Sequence, residues 1–207
     1  MMCKKNNEYN CVVKHFQKND ILIYNLIAKF GTLELKLRRN YFSALVTSII
    51  SQQLSVHSAR AIIKRFSEHF GRELTPENII SSDFQSLRDL GLSNAKAKYV
   101  IDLPYKLLSA EIKLNGISKL SESEIMNDLI KVKGIGPWTV HMFLIFVLGK
   151  PNILPEGDLG IKKAIMLNYN LENLPTGEEV IKLSKIKNWA PYNTYASLYL
   201  WKSIDGK

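Results

Sequence analysis

"KVKGIGPWTVHMF" occupies residues 131–143, and the rest of the fold is read outward from it. Two glycines flank one isoleucine, and a proline follows. That order predicts a helix ending near residue 131, a turn over Val132-Lys133-Gly134-Ile135-Gly136, and a second helix with Pro137 as its first residue. Gly134 and Gly136 permit positive φ and close backbone approach, and Ile135 can point back to pin the two helices together. The turn then offers bare N–H groups at a helix N-terminus, where the aligned peptide dipoles favour an anion. Lys131 and Lys133 add positive charge beside it. A phosphate of a nucleic-acid backbone fits such a place without any base being read. An ordinary turn between helices can carry the same two glycines, so the pattern alone names a reaction no better than it names a base.

The flanking sequence is helical almost throughout. In "NYFSALVTSIISQQLS" the apolar positions Phe42, Leu45, Val46, Ile49 and Ile50 follow i, i+3, i+4, i+7, i+8, one face of a helix. Ser121 with Glu124 and Thr176 with Glu179 have capping-box spacing, Thr75-Pro76 puts a cap before a first-turn proline, and Ser55 and Ser93 are further N-cap candidates. Gly71, Gly91 and Gly149 mark helix ends. Together these predict helices near 20–30, 41–53, 56–70, 76–81, 83–89, 94–112, 122–131, 137–148, 159–168, 177–188 and 191–203. No strand alternation is evident. The expected fold is all-α, with lobe A near 41–136, lobe B formed by 1–40 plus 137–207, and a cleft between them.

Composition sets outer bounds. The 207 residues are 46% hydrophobic and 23% charged, an ordinary globular balance, and the formal net charge of +9 favours a polyanionic partner. The two cysteines, Cys3 and Cys11, cannot build a disulfide framework or a four-cysteine metal site. His15, His57, His69 and His141 form no metal-ligand pattern. No apolar run reaches the ~18 residues of a membrane span, and the polar start from Met1 to Glu8 is unlike a signal peptide.

The loop after the second helix carries the chemistry. In "LGKPNILPEGDLGIKKAI", residues 148–165, Asp158 stands 24 residues after Gly134, in a Pro/Gly-rich loop that opens the next helix. One helix out and one loop back can return this carboxylate to the face the turn occupies. Asp158 is also a sound N-cap for the helix at 159–168. Both roles can hold at once, because a capping position fixes a carboxylate and keeps it ionised.

From about Tyr41 to Trp201, through "SIISQQLS", "GLSNAKAKY", "KVKGIGPWTVHMF", "PEGDLGIK" and "WAPYNTYASLYLW", the chain resembles the helix–hairpin–helix DNA glycosylases, and most nearly their 3-methyladenine DNA glycosylase II (AlkA/Mag-type) branch. The resemblance implies a base-excision-repair hydrolase that cuts the N-glycosidic bond of alkylated purines in double-stranded DNA, with Asp158 as its catalytic residue. It implies Trp138, Trp201 and Met142 at the damaged base. It places Gln53, Leu54, Ser55, Lys133, Gly134, Ile135, Gly136 and Thr139 on the DNA, with Gln53 or Leu54 as the wedge that fills the vacated place. Large aromatics on apolar helices commonly pack in a core, so that reading stands beside the functional one for both tryptophans; Trp189 is expected to pack the last helices. Bifunctional relatives carry a lysine nucleophile where this chain has Trp138, and an indole cannot form a Schiff base. The C-terminus lacks the cysteines of iron–sulfur members.

The resemblance further implies no cofactor, a structural Na⁺ or K⁺ ion on the carbonyls of Ile130, Val132 and Ile135, a monomer, and a place with the genome, in nucleoid or nucleus, rather than secretion. Two departures stand out: Asn193 occupies a position where an arginine is common, and the β-rich N-terminal domain of some members has no room in 207 residues. The rival readings are the same fold acting on uracil or a deaminated purine, and a non-catalytic module that holds the DNA backbone.

Overall fold

A computed structural model of the chain describes residues 2–33, 37–71 and 74–205, with side chains of the first helix described from Glu8 onward. Twelve α-helices account for its regular structure: α1 (Met2–Asn19), α2 (Ile21–Phe30), α3 (Tyr41–Ser51), α4 (Val56–Phe70), α5 (Pro76–Ile80), α6 (Phe84–Asp89), α7 (Asn94–Leu108), α8 (Glu122–Leu129), α9 (Pro137–Phe146), α10 (Leu159–Asn168), α11 (Gly177–Ile186) and α12 (Asn193–Ile204). One 3-10 turn, Ile117–Lys119, precedes α8. Among the described residues there is no strand, no helix long and apolar enough to cross a membrane, and no cluster of acidic, His or Cys side chains suited to a metal ion.

The chain divides into two compact units, one of residues 37–148 and one of 1–36 with 149–207. The break differs from the expected one at 136/137. α9 stays with the 37–148 unit because it packs against α3 and α8, and its Val140, Leu144 and Ile145 have no exposed surface.

In the 37–148 unit, α3 buries the stripe its sequence announces: Phe42, Leu45, Val46, Ile49 and Ile50 are each at most 7% exposed. Each such side chain contributes roughly 1.5–3 kcal/mol of apolar transfer. α3 lies against α4, α7 and α9. The caps form as their spacing predicts. Ser55, Thr75 and Ser93 accept from N–H groups three residues on, and Ser121–Glu124 and Thr176–Glu179 are complete capping boxes. α7 ends at Leu108 rather than 112, where Ala110 takes the left-handed conformation (φ +58°).

The other unit holds α1, α2, α10, α11 and α12 around Phe16, Ile23, Ile165, Trp189, Tyr199 and Leu200. α1 lies outside the predicted helices. Its apolar residues Tyr9, Val12 and Phe16 are sparse among polar ones, and the helix is held by burying Val12 and Phe16 completely. Asp20 ties this unit together. Only 2% exposed, it caps α2 through the N–H groups of Leu22 and Ile23, and it accepts from the Tyr169 hydroxyl and, at 2.7 Å, from the Trp189 indole N–H. Burial, then the charge of Asp20, pushes the Tyr169 phenol far up, so it stays a donor. Trp189 is therefore core, as expected.

Replacing Asp20 with Ala strands two buried donors and removes a cap, a loss of about 3 kcal/mol. Urea unfolding followed by tryptophan fluorescence should show a lower midpoint, with Asp20→Asn falling between the two.

Candidate functional site

The turn at 132–136 is built from its own residues and from one face of α7. α8 stops at Leu129; Lys131 and Val132 donate back to Asp128 and Leu129 at 3.2 and 3.1 Å, and Ile135 donates to the Val132 carbonyl at 3.0 Å. Val132 and Ile135 are buried, so Ile135 does pin the hairpin. The two glycines differ. Gly134 is left-handed at φ +81°, and a Cβ there would lie 2.2 Å from Cδ2 of Tyr99. Gly136 is extended (φ −101°, ψ 176°), a conformation open to any residue, and its missing Cβ faces open space. Its glycine is thus required by approach from outside, if at all, and not by φ.

Hydrogen bonding defines what the turn can offer. The Lys133 N–H is taken by the Asp102 carboxylate at 2.8 Å, and the Lys131 ammonium pairs with Asp128 at 2.6 Å. Neither Gly134 nor Gly136 donates its N–H to any described residue. Those two groups and the N-terminus of α9, which has no side-chain cap, form the anion-receptive edge. The carbonyls of Ile130 and Ile135 likewise accept no hydrogen bond among the described residues, whereas that of Val132 accepts from Ile135. Neutral oxygens with spare lone pairs are the kind of donor a hard cation takes.

A cavity of about 500 Å³ lies beside the turn, lined by Ser48, Ser51, Gln52, Gln53, Leu54, Gly134, Trp138, Thr139 and Met142. Trp138 and Met142 stand one turn apart on α9, and Trp138 is 48% exposed. The core alternative for Trp138 therefore fails. Six residues expected at base or backbone, Gln53, Leu54, Gly134, Trp138, Thr139 and Met142, line this one cavity, and Ser48, Ser51 and Gln52 join them unanticipated. Ser55 lies just outside as the cap of α4. Gln53 is left-handed (φ +54°), a conformation costing a non-glycine residue about 1 kcal/mol. Its side chain and that of Leu54 are exposed. Gln52, whose side chain donates to the Gly134 carbonyl at 2.7 Å and to Thr139 Oγ1 at 3.4 Å, ties this loop to the hairpin.

Asp158 and Trp201 belong to the other unit and form a pair there. Asp158 Oδ1 accepts from the Ile161 N–H, capping α10, and from the Trp201 indole N–H, each at 2.8 Å. Trp201 is partly buried, with its ring edge next to Gly160, where a Cβ would sit 3.1 Å from Nε1 and 3.0 Å from Asp158 Oδ1. Gly160 was not singled out from the sequence; a glycine inside a helix's first turn was the available signal. Asn193 hydrogen-bonds Asn152 at 2.7 Å, which links the start of α12 to the loop before Asp158.

A carboxylate locked at a helix start, in a chain that also carries this glycine hairpin, defines a class. The chain belongs to the HhH-GPD superfamily of base excision DNA repair proteins, whose family model matches residues 46–190. It is 31% identical over 204 residues to the alkylbase DNA glycosidase-like protein mag2 of Schizosaccharomyces pombe, covering 96% of this chain and 95% of that one. The S. pombe 3-methyladenine DNA glycosylase solved with abasic DNA superposes with a TM-score of 0.80 at 30% identity, over 93% of this chain and 95% of its own. A DNA-3-methyladenine glycosidase from Bacillus halodurans gives 0.84 at 31% identity, over 94% and 89%.

The two hairpin glycines should separate in a stability measurement. Gly134→Ala meets both a left-handed φ and the Tyr99 ring, and should cost more than ~1 kcal/mol. Gly136→Ala should stay within ~0.5 kcal/mol of the parent in urea titration. Equal losses would mean that position 136 constrains the turn as tightly as position 134.

Proposed function

We propose that this protein is a monofunctional DNA glycosylase that hydrolyses the N-glycosidic bond of alkylated purines, 3-methyladenine among them, in double-stranded DNA and leaves an abasic site. The observation that carries this reading is the Asp158 carboxylate, fixed by the Ile161 and Trp201 N–H groups within a chain of the base-excision superfamily. Relatives named for 3-methyladenine support the substrate class.

The chemistry follows from the substrate. Methylation at N3 or N7 places positive charge on the purine and weakens its bond to the sugar, so little leaving-group protonation is needed. The base departs with the bonding electron pair and becomes neutral, while water supplies hydroxide to C1′ and gives up a proton. Asp158 stabilises the oxocarbenium character that develops at the sugar and orients that water. The duplex must first extrude the nucleotide. Gln53 and Leu54, exposed on the α3–α4 loop, fill the gap, and the amide of Gln53 can hydrogen-bond the orphaned partner base. Trp138 and Met142 receive the cationic base; an indole face opposite such a cation contributes roughly 0.5–2 kcal/mol.

The hairpin contacts the backbone through the N–H groups of Gly134 and Gly136 and the start of α9, with Lys133 and Thr139 beside them, and reads no sequence. The carbonyls of Ile130, Val132 and Ile135 would hold a Na⁺ or K⁺ ion of structural use only. Trp138 stands where bifunctional relatives of this chain carry an amine, so no Schiff base forms. The protein acts as a monomer, without a cofactor, on the DNA it repairs.

Borohydride added during turnover should trap no covalent protein–DNA adduct, and the product strand should break only after alkali. A trapped adduct would overturn the monofunctional assignment. Asp158→Asn should slow single-turnover excision by at least ~10²-fold and leave duplex affinity nearly intact. Asn keeps the size, and its carbonyl oxygen can accept from both Ile161 and Trp201, so the cap survives while the charge is lost. Near-normal excision by that variant would reduce Asp158 to a cap and return the case to a DNA-holding module. A panel of duplexes, each with one modified base, decides between alkylated purines and uracil or deaminated purines.

A further inference from the structure

The α3–α4 loop has a second anchor besides Gln52. Lys96 sends its ammonium to the carbonyls of Ile50 and Gln52, at 2.7 and 2.5 Å. These are two of the last three carbonyls before Gln53, at a helix end that lacks a glycine cap. The placement of Lys96 is costly by itself. It is the third residue of α7, where the helix dipole opposes a cation, and burial lowers its pKa. What it gains is contact with the one stretch of backbone that must hold a left-handed glutamine.

Lys96, Tyr99 and Asp102 stand on successive turns of α7. Lys96 holds the loop; Tyr99 packs on Gly134, and Asp102 binds the Lys133 N–H. Gln52 closes the circuit by donating to the Gly134 carbonyl. Loop and hairpin are thus fastened to one helix and to each other.

We propose that Lys96 is a positioning residue for base extrusion: it holds the Gln53–Leu54 loop in register with the hairpin, so that gripping the backbone and filling the vacated base site occur together. The proposal rests on the glycosylase reading above. Lys96 would act through the backbone carbonyls it holds. Its loss should therefore be felt where extrusion is costly and spared where the base is already unpaired.

The test compares single-turnover release of an alkylated purine from two duplexes, one with the lesion paired and one with it opposite an abasic-site analogue. Lys96→Met should slow the paired substrate by at least ~10-fold, the scale of losing hydrogen bonds from a charged donor, and the unpaired one by less than ~3-fold. Gln52→Ala should shift the same ratio in the same direction, and it serves if Lys96→Met does not fold. In the Lys96→Met/Gln53→Ala double variant, the paired-substrate loss should not exceed that of the slower single variant. Equal losses on both duplexes, no loss, or multiplying losses in the double variant would each overturn the brace. A parent protein that releases no alkylated purine would instead sink the glycosylase reading, and this proposal with it.

Discussion

Tyr99 lies so close to Gly134 that a side chain at 134 would have to occupy the same space. This contact fixes the direction of the chain through the hairpin. The left-handed residue turns the backbone, Gly136 follows extended, and Pro137 opens α9 with its φ already set. Everything carried on α9 then inherits its position. Trp138 and Met142 reach the cavity because the helix starts where it does. The Gly134 carbonyl, left outward by the turn, accepts from Gln52 and draws the α3–α4 loop to the same place. A single close approach on α7 thus organises both the part expected to hold phosphate and the part expected to enter the duplex.

In the proposed reaction Asp158 serves fold and chemistry at once, without compromise between them. Capping requires an oxygen aimed at the first turn of α10, and Oδ1 supplies it. The Trp201 indole N–H converges on the same atom, and Gly160 leaves room for the ring. A carboxylate held at two points does not have to be reorganised as positive charge develops at a sugar, which is where preorganised electrostatics gains over solvent. Trp201 therefore contributes first as a hydrogen-bond donor, a role that its aromatic character alone would not suggest.

What the sequence disclosed was local. The α3 stripe, both capping boxes, the caps at Ser55, Ser93 and Asp158, and the hairpin itself all depend on residues within a few positions of one another, and spacing reveals such features directly. The misses depend on contacts distant in sequence. α1 offers few apolar positions and is recognisable only once α2 and the shared core supply a surface for Val12 and Phe16. Lys96 and Asp102 sit inside or beside "GLSNAKAKY", yet nothing in that string says which carbonyl or N–H each will meet 31 to 46 residues away. Gly134 and Gly136 look alike in sequence, and only the position of Tyr99 separates a conformational requirement from open space.

The hairpin's charge is also less than its lysines suggest. Lys131 is paired with Asp128, and the backbone N–H of Lys133 is committed to Asp102, so two carboxylates stand beside the turn. Lys133 alone of the pair keeps an ammonium with no ion-pair partner among the described residues. A phosphate at this edge would be met chiefly by oriented N–H groups and the dipole of α9 rather than by a cluster of cations. Such a contact is directional and falls off within the first turn, whereas long-range attraction comes from the net charge of +9 spread over the chain. On the proposed reading this division has a use: the diffuse charge would bring the duplex, and the hairpin, with the loop fastened to it, would set where the proposed wedge falls.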